Sequence, residues 1–361
     1  MAQAAAVALF MLACYLVYRN TVDNLAQKGI VSGFDFLWRR AGFSISPHLV
    51  PYGPDSTFAR ALLVGVLNTL LLAAIAVVLA TILGILVGVA RLSPNFLARS
   101  LATGYVETFR NIPLLLQVFF WYFGVLRALP RPRESVDMLG LVFINNRGLY
   151  IPVPEAGPGL WLVLLAPLGA AAIILLRRRG LRGAAPIVAV SLLAAAIVAV
   201  FAVRWEVPRL EGFNFAGGAV LSPELVAIAT ALSMYQAAFI AETIRGGILA
   251  VPRGQSEAAR SLGLREAPIL RLVVLPQALK AIAPPLATIY LSTLKSSSLG
   301  AAIGYPELVS VFAGTTLALV GQAVEIMSIT LVIYLAIGLA VSGAMNLWDW
   351  RLRARQGHVG L

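Results

Sequence analysis

The sequence has few charged residues and few of the residues that build metal or redox sites. Only 12% of its 361 residues are charged, whereas a soluble domain carries about 25%. It has one cysteine, Cys14, and two histidines, His48 and His358. An intramolecular disulfide is therefore impossible, and a zinc site is not indicated. With so few charges the chain cannot cover a water-facing surface, so we expect lipid to cover much of it.

Long apolar runs take the place of the missing charges, and hydrophobic residues make up 60% of the chain. Each run has close to the roughly 20 residues that cross about 30 Å of hydrocarbon as a helix. The runs cover about 2–18, 61–90, 101–128, 160–176, 185–203, 219–244, 273–299 and 324–347. Backbone groups in lipid need internal partners, so we predict an all-α polytopic membrane protein with about eight transmembrane helices. The first run is interpreted as a signal anchor or first span.

Lysine and arginine are distributed unevenly between the connections. If the N-terminus is cytoplasmic, the inside connections hold 14 basic residues in 57 positions, and the outside connections hold 10 in 109. Basic residues concentrate in cytoplasmic loops, so both termini are predicted to be cytoplasmic. The net charge of +12 therefore indicates membrane topology rather than nucleic-acid binding. The outside connections, rich in proline and glycine, are predicted to be ordered but irregular loops.

The longest inside connection, 245–276, has a pattern of two short helices joined by a glycine. Pro252 and Gly254 end the preceding helix, Gln255 or Ser256 can cap a new one, and Glu257 is expected in its first turn. Gly263 fits the residue just past a helix C-terminus. From the residues alone, a docking site for another protein and an amphipathic helix resting on anionic lipid are about equally well supported.

The spacing in this connection resembles the EAA loop of ABC importer permeases. The residues that carry the resemblance are Glu257, Ala258, Ala259, Gly263, Leu275 and Pro276, although Val273 stands where isoleucine is more usual. In that family the loop docks into a groove on a separate ATPase, so the resemblance implies that Glu257 and Gly263 make that contact. It also implies a type I ABC importer permease core, with a second permease subunit, two ATP-binding subunits and a periplasmic binding protein as partners.

An ATPase needs a phosphate loop that ends in Gly-Lys-Ser/Thr. Of the three lysines, Lys28, Lys280 and Lys295, only Lys295 precedes a serine, and Leu294 precedes it instead of glycine. The chain is therefore predicted to be a non-catalytic subunit that binds no cofactor, while a partner chain uses ATP and Mg²⁺. We expect it to lie in the bacterial inner membrane.

Further segments resemble the polar amino acid branch of this family. They begin at Asn68, Glu107, Ala241, Lys295 and Gly304. The resemblance implies a permease domain at 60–350 with a two-span insertion at about 129–218. Residues 1–59 would be an N-terminal span and periplasmic segment, and 351–361 a cytoplasmic tail. The extra span and the insertion look most like the larger permease of a general L-amino acid importer.

Polar residues within the apolar runs are candidates for two roles. Possible pathway residues are Asn68, Gln117, Lys295, Ser296, Ser297 and Ser298, and Pro284-Pro285 is expected to break the seventh run so that it lines a cavity. Glu107 with Arg110, and Glu242 with Arg245, stand three residues apart and can neutralise each other within a helix. We favour a role in fixing helix position for these pairs over substrate contact.

Other functions remain as alternatives. A permease for a sugar, phosphate or a compatible solute would keep the same fold. A stand-alone secondary transporter would be expected to have symmetric broken spans or buried carboxylate chains, and neither is evident. An intramembrane enzyme would need paired catalytic residues on two spans, and no suitable spacing is found.

Overall fold

The computed structural model describes residues 2–27, 32–155 and 205–357. The chain forms two compact units, one made of Met1–Tyr122 with Ala227–Leu361 and the other of Phe123–Val226. The first unit holds most of the helices, and the second holds the strands. The insertion predicted at 129–218 lies inside the second unit.

Helices make up most of the described chain. They are α1 (Ala2–Gln27), α2 (Phe58–Arg91), α3 (Phe96–Asn111), α4 (Leu114–Phe119), α5 (Pro223–Leu249), α6 (Arg253–Ser261), α7 (Glu266–Ile269), α8 (Leu275–Ser296), α9 (Leu317–Val320) and α10 (Ala323–Gly357). Four π- or 3₁₀-helical segments extend them: Phe120–Leu126 after α4, Leu270–Val274 between α7 and α8, Ser297–Ile303 after α8, and Val309–Thr316 before α9. Two isolated 3₁₀ turns, Asp35–Trp38 and Pro132–Glu134, complete the set.

Four helical segments in the described residues are long and apolar enough to cross a membrane. They are Phe58–Arg91, Pro223–Leu249, Glu266–Ile303 and Ala323–Arg351, and a fifth is added if α3 and α4 with its extension count as one span. In α1 the apolar stretch is Ala5–Val17. The runs predicted at 160–176 and 185–203 lie outside the described residues. The described residues therefore account for four or five of the roughly eight spans expected from the sequence.

The third apolar run is not one straight span, as the sequence had suggested. The axes of α3 and of α4 with its extension differ by 105°. The break lies at Ile112, which has an extended backbone, because the following Pro113 disfavours helical dihedrals there. The Gln117 amide donates to the carbonyls of Phe109 and Ile112, which the break would otherwise leave without partners.

The predicted break at Pro284-Pro285 is wrong. The helix α8 is continuous through both prolines and ends only at Ser296. Both prolines lie on its exposed side, while Ile282, Ala283 and Leu286 are buried. Packing of the buried side holds the helix together although two backbone N–H donors are missing.

The connections predicted at 127–158 and 204–218 are more regular than expected where the structure describes them, at 127–155 and 205–218, and the all-α fold class needs correction. A four-stranded antiparallel sheet has the order β1 (Val136–Met138), β2 (Val142–Asn145), β3 (Gly148–Ile151), β8 (Ala219–Leu221). Two further pairs are β4 (Val153–Pro154) with β5 (Trp205–Glu206), and β6 (Arg209–Glu211) with β7 (Asn214–Ala216). Phe215 packs against Phe143 and Tyr150, with ring centroids 4.8 and 4.6 Å apart. The proline- and glycine-rich composition had predicted irregular loops, and it gave no sign of these short strands or of their aromatic cluster.

The segment before α2 packs against other parts of the first unit. Phe36, Ala41 and Ile45 share a buried cluster with the start of α2 and with residues 308–312. A buried carboxylate, Glu307, accepts hydrogen bonds from the N–H groups of Val309 and Ser310 at 2.8 and 2.7 Å. It also accepts the hydroxyl of Tyr334 at 3.1 Å. Glu307 therefore fixes the turn that leads into the Val309–Thr316 helix.

Candidate functional site

The connection between α5 and α8 folds as the sequence predicted, into two short helices joined at a glycine. After Leu262, Gly263 has a left-handed backbone with φ +76°. Its N–H donates to the carbonyl of Arg260, and the N–H of Leu264 donates to that of Ala259. These two bonds form a Schellman C-cap, so the predicted stop at Gly263 is confirmed. The helix α7 then begins at Glu266.

The start of α6 differs from the expectation. The helix begins at Arg253 after Pro252, with no side-chain cap, so neither Gln255 nor Ser256 is the N-cap. Glu257 lies in the second turn rather than the first. The proline fixes the backbone at the entry and leaves the capping role of a side chain unfilled.

One side of α6 is exposed and the other packs against its own loop. Glu257 and Ala258 are exposed, and Leu262 beside Gly263 is 82% exposed, whereas Ala259 is only 5% exposed. A large apolar side chain at the tip of a polar helix, next to a glycine without a side chain, is suited to contact with another protein. Among the EAA residues, Leu275 and Pro276 lie at the start of α8 instead of on this tip.

An ion pair crosses the glycine turn of the loop, and a cavity lies beside it. Arg260 contacts Glu266 across the glycine turn at 2.6 and 3.2 Å. These hydrogen bonds raise the pKa of the Arg260 guanidinium above its ordinary value. A cavity of about 370 Å³ lies between α6 and the segment after it. Its lining residues are Ile248, Leu249, Val251, Arg253, Ser256, Glu257, Arg260, Glu266, Ile269, Leu270 and Val274.

The second predicted charge pair forms, and a third residue joins it. Arg245 contacts Glu242 at 2.6 Å within α5. Arg91, the last residue of α2, contacts the same carboxylate from the neighbouring helix. The sequence did not single out Arg91. Its position at the end of an apolar run is the signal that was available, but nothing in the sequence indicates its partner.

The first predicted charge pair does not form. The guanidinium of Arg110 lies over the ring of Phe239, 5.1 Å from its centroid. Glu107 accepts a long hydrogen bond of 3.5 Å from Asn111 instead. A cation–π contact with α5 competes with an exposed intrahelical ion pair, which stabilises a helix by only about 0.3–0.5 kcal/mol.

Between residues 281 and 295, the exposed side of α8 carries no large hydrophobic side chain. It consists of Ala281, Pro284 and Pro285 together with the polar residues Thr288, Ser292 and Lys295, and this set is here named the polar stripe. The spacing of Thr288, Ser292 and Lys295 places them on one helix side. By contrast, the exposed residues of α2 between Leu63 and Val89 are all apolar. A polar stripe that ends in a lysine is costly against lipid and is typical of a surface that faces water or protein.

The remaining pathway candidates make local hydrogen bonds. Asn68 is buried, and its amide donates to the carbonyls of Pro47 and Pro306. Gln117 is also buried and binds the backbone at the α3–α4 break. The hydroxyls of Ser297 and Ser298 donate to the carbonyls of Leu294 and Lys295, and Ser296 is half-buried at the end of α8. Of the six predicted residues, Lys295 therefore lies on the polar stripe.

The sequence analysis missed Thr288 and Ser292. Their spacing was visible, since Thr288 stands four residues before Ser292 and Ser292 stands three residues before Lys295. It also passed over the exposure of Leu262. No group of three or more His, Cys, Asp or Glu side chains within residues 2–27, 32–155 and 205–357 could hold a metal ion.

Comparison with known proteins gives a family match and two extensive relatives. The family described as "Binding-protein-dependent transport system inner membrane component" matches residues 80–354. The putative amino-acid ABC transporter permease protein YhdX of Escherichia coli (strain K12) is 50% identical, over 93% of this chain and 89% of that protein. The general L-amino acid transport system permease protein AapQ of Rhizobium johnstonii is 47% identical, over 93% of this chain and 87% of that protein.

A solved structure has a similar fold. The crystal structure of an amino acid ABC transporter with histidines superposes with a TM-score of 0.51. The alignment covers 81% of this chain and 95% of that one, at 23% identity. At this identity the likeness concerns the fold alone.

Proposed function

Because the chain belongs to the family of inner-membrane components of binding-protein-dependent transport systems, we propose that it is the permease subunit of an ABC importer that carries amino acids from the periplasm to the cytoplasm. The names of the E. coli and Rhizobium relatives support amino acids as the substrate class. The chain itself carries out no chemistry. A partner ATPase binds ATP and Mg²⁺ and supplies the free energy.

The observation that carries the proposal is the exposed tip of the 245–276 loop. Glu257, Ala258, Leu262 and Gly263 lie together at this tip, and the buried Ala259 and the Arg260–Glu266 ion pair hold it in shape. The tip is the coupling site: it enters a groove on the ATPase, and movement of the ATPase displaces α6. Because Gly263 has no side chain, the partner can approach the backbone closely there.

The polar stripe of α8 supports a route for an amphoteric solute. Thr288 and Ser292 offer hydroxyls, and Lys295 offers a positive charge that suits a carboxylate. In one copy of the chain, the described residues leave the stripe exposed. We therefore place the path between this chain and a second, different permease subunit, with a periplasmic binding protein delivering the amino acid.

The orientation follows from the distribution of arginine. Both termini and the 245–276 loop lie in the cytoplasm, and the strands of residues 136–221 lie in the periplasm. The membrane is the bacterial inner membrane. This orientation puts the coupling tip on the side where ATP is available.

Substitution of Gly263 tests the coupling role. In complexes reconstituted in liposomes, Gly263→Val is expected to lower ATP-driven uptake by at least about tenfold, since it adds bulk to the docked tip. It also strains the left-handed backbone by about 1–2 kcal/mol. Gly263→Asn separates the two causes, because asparagine tolerates this backbone and still adds bulk.

Gly254, in the adjoining helix α6, is the matched control, because its φ is not positive and a Cβ added to it would meet no atom within 4 Å. Gly254→Ala is expected to leave uptake within about twofold of the unmodified complex, because it removes no contact of the folded loop. Normal uptake by both Gly263 variants would contradict the coupling role. Uptake without ATP by a chain that purifies only with copies of itself would instead favour a secondary transporter.

A further inference from the structure

The helix α5 directly precedes the coupling tip in the chain, so movement of the tip acts on its end first. Only Ala250, Val251 and Pro252 separate its end from α6. Of the four straight spans in the described residues, it is the one most enclosed by other helices, with 67% of its apolar window buried. A displacement of α6 is therefore delivered to the end of α5 and, through it, to the helices packed around it. This reasoning rests on the coupling role proposed above.

Two glycines bring α2 against this end of α5. A Cβ atom on Gly84 would lie 2.6 Å from Cβ of Ile240, and one on Gly88 would lie 2.9 Å from the carbonyl oxygen of Ala241. No side chain other than hydrogen fits at either position. The two helices therefore meet at backbone distance over more than one turn, which is the close packing that small residues permit in membranes.

A charge contact lies directly beyond these glycines. Arg91, only 11% exposed in its side chain, contacts the Glu242 carboxylate. Arg245 contacts the same carboxylate, but it belongs to the same helix as Glu242. Of the two arginines, Arg91 alone joins α2 to α5. A cation that is largely buried and shared across two helices holds their relative position more tightly than an exposed pair would.

The opposite end of α2 is fastened to the segment that follows α8. Thr69 accepts the N–H of Leu308 at 3.0 Å, and Asn68 donates to the carbonyl of Pro306 at 2.9 Å. The hydroxyl of Tyr305 donates to the carbonyl of Asn68. Between Asn68 and Arg91 the helix is uninterrupted and spans about 35 Å. It is a rigid connection between the coupling end and the segment beyond the polar stripe.

We propose that Arg91 is a positioning residue for transport: it fastens α2 to α5, so that a displacement of α6 moves α2 as a unit and reaches residues 304–310 at its other end. Without this contact α5 moves against α2, and ATP hydrolysis is no longer converted into a change of access. Arg91 touches neither the substrate nor the ATPase in this role.

The test measures amino acid uptake and ATP hydrolysis in the same reconstituted complex. Arg91→Gln is expected to lower the number of amino acids carried per ATP by at least about fivefold, while the complex still assembles and hydrolyses ATP. Arg91→Lys keeps the charge and is expected to restore the ratio to within about twofold. Arg245→Gln is the matched control, since it removes an arginine from the same carboxylate without separating the two helices.

The outcomes separate coupling from a merely structural contact. An unchanged ratio in an assembled Arg91→Gln complex would overturn the proposal, and so would an equal loss in the Arg245→Gln complex. If Arg91→Gln does not assemble, the triple variant R91Q/E242Q/R245Q avoids an unpaired buried charge. It is expected to show the same fall in ratio, and a normal ratio would overturn the proposal.

Failure of the broader function would look different. An unmodified complex that carries no amino acid, or a Gly263→Val complex with normal uptake, would contradict the importer or its coupling tip whatever Arg91 does. If the unmodified complex carries amino acids and the Gly263→Val complex loses uptake as expected, an unchanged ratio in Arg91→Gln would contradict only the role of Arg91.

Discussion

Some single polar residues join distant parts of this chain through hydrogen bonds that their local sequence does not predict. Glu307 is fully buried, yet its carboxylate accepts three hydrogen bonds, two from backbone N–H groups and one from Tyr334. Asn68 lies on a different helix and holds Pro47 and Pro306 together. The sequence had made Asn68 a candidate for the substrate pathway, whereas Glu307 was not singled out. In the structure their visible role is to join distant parts of the chain.

Replacing Glu307 tests this structural role. Glu307→Ala is expected to destabilise the permease by about 1–3 kcal/mol, because two buried N–H groups and a hydroxyl lose their acceptor. Glu307→Gln keeps one acceptor oxygen at the same place and should be less destabilising. Thermal unfolding of the purified complex in detergent, followed by fluorescence, measures both. Equal unfolding temperatures for the alanine variant and the unmodified chain would show that the carboxylate contributes nothing to stability.

At the scale of elements, α2 and α8 are both long apolar helices by composition but differ in what they expose. The exposed side of α2 carries Val78, Ile82 and Leu86, as expected for contact with lipid. Between residues 280 and 295 of α8, by contrast, no large hydrophobic side chain is exposed. A helix with such a stripe is expected to line water or protein, not hydrocarbon.

Chemical labelling distinguishes the two sides. In a Cys14→Ser background, Thr288→Cys and Ser292→Cys are expected to react with a membrane-impermeant thiol reagent when the path is open to it. Val78→Cys and Ile82→Cys are matched controls on the apolar side and are expected to react at least about tenfold more slowly, since thiolate does not form readily in an apolar medium. Similar rates at all four positions would contradict the assignment of α8 to the path.

Many of the helices and helix ends could be predicted from the sequence. The type I ABC importer permease core expected from the sequence is confirmed by the family match and the fold comparison. The run at 61–90 became α2, and the stop at Gly263 was correct because glycine alone readily adopts that backbone. The break at Pro113 and the continuity through Pro284 were both misjudged. A proline breaks or spares a helix according to what packs around it, and that depends on contacts from distant residues.

The contacts that charged side chains make between helices also could not be predicted from the sequence. The intrahelical pair of Glu242 with Arg245 follows from spacing alone, whereas the contact from Arg91 depends on how α2 lies against α5. For the same reason Arg110 was assigned to Glu107, although Phe239 lies close enough to compete. Charge spacing identifies candidate pairs within one helix, but only the packing decides which of them form.

At the scale of the whole molecule, the arrangement of charge predicts which side of the membrane each part occupies. Arginines cluster near residues 177–182, 245–271 and 351–355, and the exposed tip of α6 lies in the second of these clusters. Cytoplasmic loops gather basic residues because these resist translocation. The coupling tip and the C-terminus are therefore expected on one side, and the strands around Gly140 on the other.

Reporter fusions test this orientation. A green fluorescent protein joined after residue 357 is expected to be fluorescent, since it folds in the cytoplasm. Alkaline phosphatase inserted at Gly140, an exposed turn, is expected to be active, since that enzyme needs the oxidising periplasm for its disulfides. The reverse pair of fusions supplies the controls. An active phosphatase at residue 357 would place the C-terminus outside and remove α6 from the reach of an ATPase.

The pairing of β4 with β5 brings together the two ends of the segment between residues 154 and 205. Val153 lies opposite Glu206, and Pro154 lies opposite Trp205, so the chain leaves and returns at adjacent positions of one short ladder. A change in the segment between these two strands is therefore expected to leave the register of β3 with β8 intact. Such a seam would let a lineage lengthen, shorten or exchange the intervening segment as a cassette, while the helices of the first unit are inherited unchanged.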